Sequence, residues 1–460
     1  MVFSSLVFLF GFLPLFLLAY RLTPGLRARN IVLTATSFVF YGWWRPDFVL
    51  LMAFSTVLDW WCSLRMGAID DGRRRKPWLI LSVVTNLALL GWFKYANFCV
   101  DVLHDLGTGP SVWKDVVLPV GISFYTFQSM SYTIDVYRGE VKPVRSLLDL
   151  ACYVSMFPQL VAGPIVRYRD VQEQVTERST SIDDFAAGVL LFMIGMSKKV
   201  LIADHAALLA TPVFATHAPG LIDSWIGALA YSIQIYFDFS GYSDMAVGLG
   251  LMIGFRFPHN FLSPYKSQSI TEFWRRWHVS LSTWLRDYLY IPLGGNQRGT
   301  VRTYVNLSAT MLLGGLWHGA AYNFVIWGAY QGAWLVVERA AGKRALWHAL
   351  PFPLRVAVTF AVVLGGWAVF AASSMHGVLA MWGGMLGVAG AGQVPVASSH
   401  AIEAWAAVGL GCGLAFFAPH SWIVVRRFHG GMVLFLGACF LLSIGLLAAR
   451  SHVPFLYFRF

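Results

Sequence analysis

Charge is scarce in this chain: Asp, Glu, Lys and Arg together make up 12% of 460 residues, about half the roughly 25% carried by soluble domains. Too few charges remain to clothe a soluble surface. Cysteine is scarcer still. Cys62, Cys99, Cys152, Cys412 and Cys439 are odd in number, scattered and mostly set in apolar stretches, which excludes a disulfide scaffold and reads as five buried thiols. Acidic residues are outnumbered 23 to 34 by Lys and Arg. The basic excess falls in short connectors between apolar runs, a topology signal rather than a nucleic-acid stripe. A Walker A loop and a His-Glu-x-x-His zinc motif are both absent. The soluble acyltransferase patterns His-x-x-x-Asp and His-x-x-x-x-Asp are missing too: Ser282 and Thr283 stand at those offsets from His278, and Tyr322 and Asn323 at comparable ones from His318.

What the chain has in abundance is apolar sequence, 57% of residues, with 16% aromatics and 19 Trp. At about 20 residues per crossing this furnishes on the order of ten to thirteen spans, so a single polytopic all-α membrane domain over residues 1–460 is expected. Val2 to Tyr20 lacks a basic n-region and a small-residue cleavage site and reads as a retained first span. Further apolar runs lie near 31–44, 48–64, 78–98, 117–136, 147–165, 184–204, 222–238, 242–255, 303–317, 320–338, 352–373, 377–390, 403–418 and 432–449. Basic clusters at Arg21–Arg29 and Arg73–Lys76, with Arg339, Lys343, Arg344, Arg355, Arg426 and Arg427, mark cytoplasmic connectors, while 211–224 and 375–400 hold no Lys or Arg and belong outside. The N-terminus is then outside; the side of Phe460 stays open. Gln128, Asp135, Asp238, Ser240, Asp244 and Asn260 interrupt apolar stretches, a pattern that calls for re-entrant or broken helices. Gly248-Leu-Gly250-Leu-Met-Ile-Gly254 is a poor dinucleotide loop and reads as helix packing through Gly250 and Gly254. The absence of an internal repeat argues against an inverted-repeat transporter.

Residues 257–302 form a basic, cytoplasmic-side amphipathic region. Ser269-Ile-Thr-Glu272 has the capping-box pattern, and the single helix it opens places Trp274, Trp277, His278, Leu281, Trp284, Leu285 and Tyr288 on one face. Arg275 and Arg276 fall on the other, where they serve either as interfacial anchors or as contacts for the phosphates of a cytoplasmic donor. His278 is either a structural histidine or a site residue. In the 303–338 segment His318 stands among about 25 otherwise uncharged residues, a costly placement that marks a functional candidate. Gly314, Gly315, Gly319, Ala320 and Ala321 leave space around it, for close helix contact or for a substrate chain. Desolvation favours neutral imidazole, a general base for a hydroxyl nucleophile, and no cysteine near either histidine suggests an acyl-cysteine intermediate. Asp238, Asp244 and His278 are too dispersed for a metal site.

Several blocks together resemble the membrane-bound O-acyltransferase (MBOAT) family, in its bacterial alginate O-acetylation branch. They are Pro119-Val-Gly-Ile-Ser-Phe-Tyr-Thr-Phe-Gln128, Asp135-Val-Tyr-Arg138, Phe157-Pro-Gln-Leu-Val-Ala-Gly-Pro-Ile165, Tyr236-Phe-Asp-Phe-Ser-Gly-Tyr-Ser-Asp244, Asn260-Phe with Pro264-Tyr, Phe273-Trp-Arg-Arg-Trp-His278, Gly314-Gly-Leu-Trp-His318-Gly and Pro454-Phe-Leu-Tyr-Phe-Arg-Phe460. Each block is weak alone; the set is specific and covers Arg27 to Phe460. The resemblance implies an MBOAT fold of about 11–13 transmembrane helices, with re-entrant and interfacial helices around a central funnel or tunnel. It implies that His318 is catalytic and His278 the second essential residue. It also implies a cytoplasmic donor, acetyl-CoA, with no bound cofactor or metal, and delivery across the bacterial inner membrane to periplasmic acetyltransferase partners that modify an exopolysaccharide. Trp274, Arg275, Arg276 and Trp317 are candidates for the donor passage, and Asp244 and Asn260 for orienting polar groups. Cellulose acetylation, teichoic acid D-alanylation, a flippase of an acyl carrier and an envelope scaffold are the rival readings, and nucleic acid is not an expected partner.

Overall fold

The computed structural model describes residues 1–342, 349–388, 401–427, 429–449 and 455–456. Lys343, Arg344, residues 389–400 of the uncharged connector and, apart from Phe455 and Leu456, the 454–460 block lie outside them. The described secondary structure is helical throughout, as apolar segments that must satisfy their own backbone groups in lipid require.

Two compact units emerge from the chain's contacts, one from residues 1–192, 245–258 and 447–452, the other from 193–244, 259–446 and 453–460. The first contains α1 (Leu13–Leu22), α2 (Leu26–Gly42), α3 (Asp47–Gly67), α4 (Gly72–Asp105), α5 (Ile122–Arg138), α6 (Leu147–Ser155), α7 (Phe157–Leu160), α8 (Tyr168–Thr176) and most of α9 (Ile182–Ser197). The second contains α10 (Asp204–Phe214), most of α11 (Leu221–Met252), α12 (Ile270–Arg276), α13 (Val279–Leu285), α14 (Thr300–His318), α15 (Tyr322–Ala341), α16 (Phe352–Ala371), α17 (Met375–Met385), α18 (Ala401–Phe417), α19 (Ser421–Arg426) and most of α20 (Gly430–Ala449). Among the described residues five helices are long and apolar enough to cross a membrane: α3, α4, the continuous 182–214 stretch, α16 and α20. Val7–Leu22 and Ile402–Phe417 are shorter apolar helices.

Several expectations need correction. The apolar runs 222–238 and 242–255 are one helix, α11, because Ser240-Gly241 does not interrupt its hydrogen bonding. The run 147–165 is broken into α6 and α7 at Met156, in line with the broken helices expected there. Gly254, just past α11 with φ +89°, and Gly250 are closely packed, but a Cβ on them would meet Thr180 Oγ1 at 2.9 Å and the Phe257 ring at 2.7 Å rather than a second helix; the helix contact is made by Gly248, where a Cβ would lie 2.5 Å from the Gly188 carbonyl oxygen. Of the five thiols, Cys62 and Cys152 are buried, Cys412 and Cys439 half-buried, and Cys99 is exposed on α4. A helix with a long apolar circumference leaves some positions facing outward whatever their polarity.

In the first unit the core carries a buried carboxylate. Asp59 on α3 accepts hydrogen bonds from Ser82 Oγ at 2.6 Å, from Asn86 Nδ2 at 2.9 and 3.0 Å and from Ser129 Oγ, which ties α3 to α4 and α5. In the second unit α14 and α15 pair along a glycine seam. A Cβ on Gly315 would meet the Phe324 carbonyl oxygen at 2.2 Å, and one on Gly328 the Met311 carbonyl oxygen at 2.5 Å. Of the small residues near His318, Gly315 thus serves close helix contact, while a Cβ on Gly314 would meet the Leu285 side chain and one on Gly319 the Phe324 ring. The rings of His217 and His376 lie 6.2 Å apart, so the two connectors devoid of Lys and Arg meet in this unit.

Candidate active site

His278 and His318 come together in the second unit, their ring centroids 6.3 Å apart. His318 is the last residue of α14, where the chain turns toward α15. Its imidazole meets Trp317 at 5.0 Å, Trp327 of α15 at 5.1 Å and Phe370 of α16 at 5.4 Å, and it is 6% exposed.

The segment carrying His278 departs from the single helix expected. Ser269 Oγ accepts from the Glu272 N–H at 3.1 Å as the capping pattern requires, while the Glu272 carboxylate takes the Gln268 N–H instead of that of Ser269. The helix then stops at Arg276. His278 adopts a left-handed backbone, φ 43° and ψ 54°, before α13 begins at Val279. Left-handed geometry costs a residue with a Cβ about 1–2 kcal/mol. Tertiary contacts hold it here: the Asn260 carbonyl accepts the Val279 N–H at 3.0 Å, Leu262 N–H bonds the Arg276 carbonyl at 3.0 Å, and Asn260 Oδ1 accepts from Ser280 N and Oγ at 3.1 and 2.8 Å. Asn260 therefore braces the break that aims His278.

His278 is wholly buried, edge-on to Phe239 at 4.7 Å and near Trp317 at 5.9 Å. Neither ring nitrogen has a hydrogen-bond partner among the described residues. A fold seldom leaves a buried imidazole unpaired, and such a group is a candidate for ligand or water. Burial pushes its pKa down to about 3, so the ring is neutral at physiological pH, able to accept or donate one hydrogen bond at each nitrogen according to tautomer.

Beside this break lies a cavity of about 490 Å³, walled by α12 to α15, with Trp274, Arg275, Ser282, Thr283, Arg286 and Thr310 on its lining. Trp274 and Arg275 thus both face this cavity, and Trp274 Nε1 donates to Gln331 Oε1 at 3.3 Å. Arg276 does not share that position. Its guanidinium binds Glu272 at 2.7 Å and the Leu262 carbonyl at 3.2 Å, which makes it part of the brace. Trp317 is buried against both histidines' rings, at 5.9 and 5.0 Å, rather than lining this cavity. Asp244 is also elsewhere, bound to Lys198 Nζ at 2.7 Å and Ser421 Oγ at 2.6 Å.

Comparison with known proteins agrees with this architecture. The family model for membrane-bound O-acyltransferases matches residues 140–375. The chain is similar to a probable alginate O-acetylase of Pseudomonas putida, 47% identical over 489 residues and covering 100% of each chain. The chain belongs to the membrane-bound O-acyltransferase family. It is also similar to the probable alginate O-acetylase of Pseudomonas aeruginosa, 55% identical over 381 residues, 82% of this chain and 73% of that one. A peptidoglycan O-acetyltransferase of Helicobacter pylori is 33% identical over 515 residues, 100% of this chain and 98% of its own. An MBOAT protein is a polytopic membrane enzyme, and O-acyl transfer is the activity of this one.

For an MBOAT enzyme the aromatic enclosure of His318 is as telling as the histidine. Trp277, Trp327, Trp367 and Phe370 line a small cavity with it. Asp238 lines the same cavity, held by Lys199 Nζ at 2.8 Å and the Leu456 N–H at 2.9 Å. Sequence reading noted Asp238 as an interruption and as a member of a set too dispersed for a metal site, and passed over Lys199. The helical wheel carried the signal: Asp238 and Asp244, six positions apart, point about 120° apart around α11, so one of them at most can face a given site.

Proposed function

We propose that the protein takes acetyl from acetyl-CoA at the cytoplasmic side of the inner membrane and moves it toward periplasmic partner acetyltransferases that O-acetylate an exopolysaccharide, alginate in the first place. The observation that carries this reading is the pair of enclosed imidazoles, His278 and His318, with rings 6.3 Å apart; a separate 490 Å³ cavity is lined by Val279, the neighbour of His278, together with Arg275 and Arg286. That volume lies within the range of about 300–1,000 Å³ typical of small-molecule sites, and guanidinium groups suit the phosphates of a nucleotide-bearing thioester. The names of the relatives, alginate O-acetylases among them, supply the acceptor class.

In the proposed step His318 accepts the proton of an acceptor hydroxyl as its oxygen attacks the thioester carbonyl. The C–O bond forms, the C–S bond breaks, and the imidazolium returns its proton to the leaving thiolate. Neutral imidazole is the form that can begin this cycle. Enclosure by indoles excludes competing water and strengthens whatever hydrogen bond the oxyanion receives; His278, its ring 6.3 Å from that of His318, is a buried group with nitrogens to give one.

Replacing His318 with Ala tests the reading. With membrane abundance unchanged, polymer acetylation should fall by at least about 100-fold, the usual minimum contribution of a general base. Normal acetylation would overturn the catalytic assignment.

A further inference from the structure

The small cavity beside His318 has a volume of about 20 Å³, enough for one water molecule, which needs roughly 10–15 Å³ and two to four polar partners. Most of its wall is aromatic or aliphatic. Three of its lining residues offer polar groups suited to such a water. One is His318. Another is Trp327, whose indole N–H is buried without a hydrogen-bond partner among the described residues, whereas the Trp367 N–H is committed to the Tyr265 hydroxyl at 3.2 Å. The third is Asp238, whose oxygens are divided: Oδ1 faces Lys199 at 2.8 Å and Oδ2 accepts from Leu456 N–H at 2.9 Å. Leu456 is itself a wall of the cavity. Each carboxylate oxygen has two lone pairs, so Oδ2 retains capacity for a water on the cavity side.

We propose that Asp238 is a positioning residue for His318, coupled to it through one ordered water that the Trp327 indole N–H also holds, and that its carboxylate stabilises the imidazolium formed during acyl transfer. The proposal rests on the reading of His318 as the base. The charge arrangement suits the role. Lys199 is shared between Asp238 and Asp204, which it meets at 2.6 Å, so its ammonium is divided between two carboxylates and offsets the charge of Asp238 only in part. Among the described residues His278, from the joint between α12 and α13, is a further titratable group facing His318. From α15 and α16 the rings of Trp327 and Phe370 face it.

A carboxylate close to an imidazole raises its pKa by favouring the charged form. Deleting that charge should therefore lower the pH at which His318 takes up its proton. The purified full chain in lipid nanodiscs is treated with diethylpyrocarbonate, which reacts with neutral imidazole, between about pH 5 and pH 9 around the ordinary histidine range, and His318 modification is read by peptide mass spectrometry. Asp238→Asn should move the His318 midpoint down by about one pH unit. Leu456→Pro, which removes the N–H donor and keeps the carboxylate, should leave it at the wild-type value. Coincident midpoints for Asp238→Asn and wild type overturn the proposal. Equal shifts in both variants overturn it too, since the docked segment would then carry the effect. In parallel, coenzyme A release from acetyl-CoA should show its acid limb displaced to lower pH in Asp238→Asn. A wild-type chain that releases no coenzyme A while the labelling midpoint still shifts would sink acetyl transfer and leave the Asp238–His318 pairing standing.

Discussion

Asp59 and His278 are both wholly buried polar residues, one at the junction of α3, α4 and α5, the other between α12 and α14. Asp59 is met from three sides by Ser82, Asn86 and Ser129. His278 is met by rings, and neither nitrogen has a hydrogen-bond partner among the described residues. Depth alone therefore does not mark a reactive centre. A polar group whose hydrogen bonds are completed by its own fold organises helices, and one that the fold desolvates and leaves incomplete is available to a substrate. Even the backbone differs: Asp59 sits in a regular helix, while His278 occupies a left-handed joint that neighbouring segments must hold in place.

The largest expected effect separates ring from backbone at that joint. His278→Gly keeps the left-handed conformation freely and removes the imidazole. Acyl transfer should fall about 100-fold with membrane abundance retained, and a Gly variant with normal turnover would reduce His278 to a shape-keeper. Next comes Asp59→Ala, which removes an acceptor shared by three donors and should lower stability by about 2–3 kcal/mol in thermal unfolding of the solubilised protein, with turnover per folded molecule unchanged within about twofold. A collapse in turnover without loss of stability would erase the contrast between the two centres. The smallest effect should divide two adjacent arginines. Arg275→Ala, on the cavity wall, should raise the KM for the donor about three- to tenfold. Arg276→Ala should leave KM alone and cost about 0.5 kcal/mol, since its pair with Glu272 is partly exposed to solvent.

Much of this was legible in the sequence, and the limits have physical causes. Isolated ionisable residues in apolar runs are conspicuous because burying them is costly, which is how His278 and His318 stood out. The capping pattern at Ser269 correctly announced a helix start. It said nothing of where the helix ends, because the stop at Arg276 is imposed by hydrogen bonds from residues 260–262, far from any local signal. Asn260 was seen as a polar interruption; that it braces the joint needed coordinates. Asp244 was chosen over Asp238 since both read alike in a linear string, and only the direction each faces on α11 distinguishes a half-buried surface pair from a cavity wall. Arg275 and Arg276 divided for a similar reason, as neighbours on a helix point about 100° apart.

The glycine seam between α14 and α15 has a mechanical corollary. With backbones pressed together at Gly315 and Gly328, sliding one helix past the other would drive carbonyl oxygens into α-carbons, so the pair bends and shifts as a single stiff rod with His318 at its tip. The two short helices meeting at His278 have no comparable seam, only a joint between seven-residue rods. Thermal breathing of the distance between the two imidazoles is then carried on the His278 side, where hydrogen–deuterium exchange should be faster at residues 277–280 than along the Gly314–His318 turn.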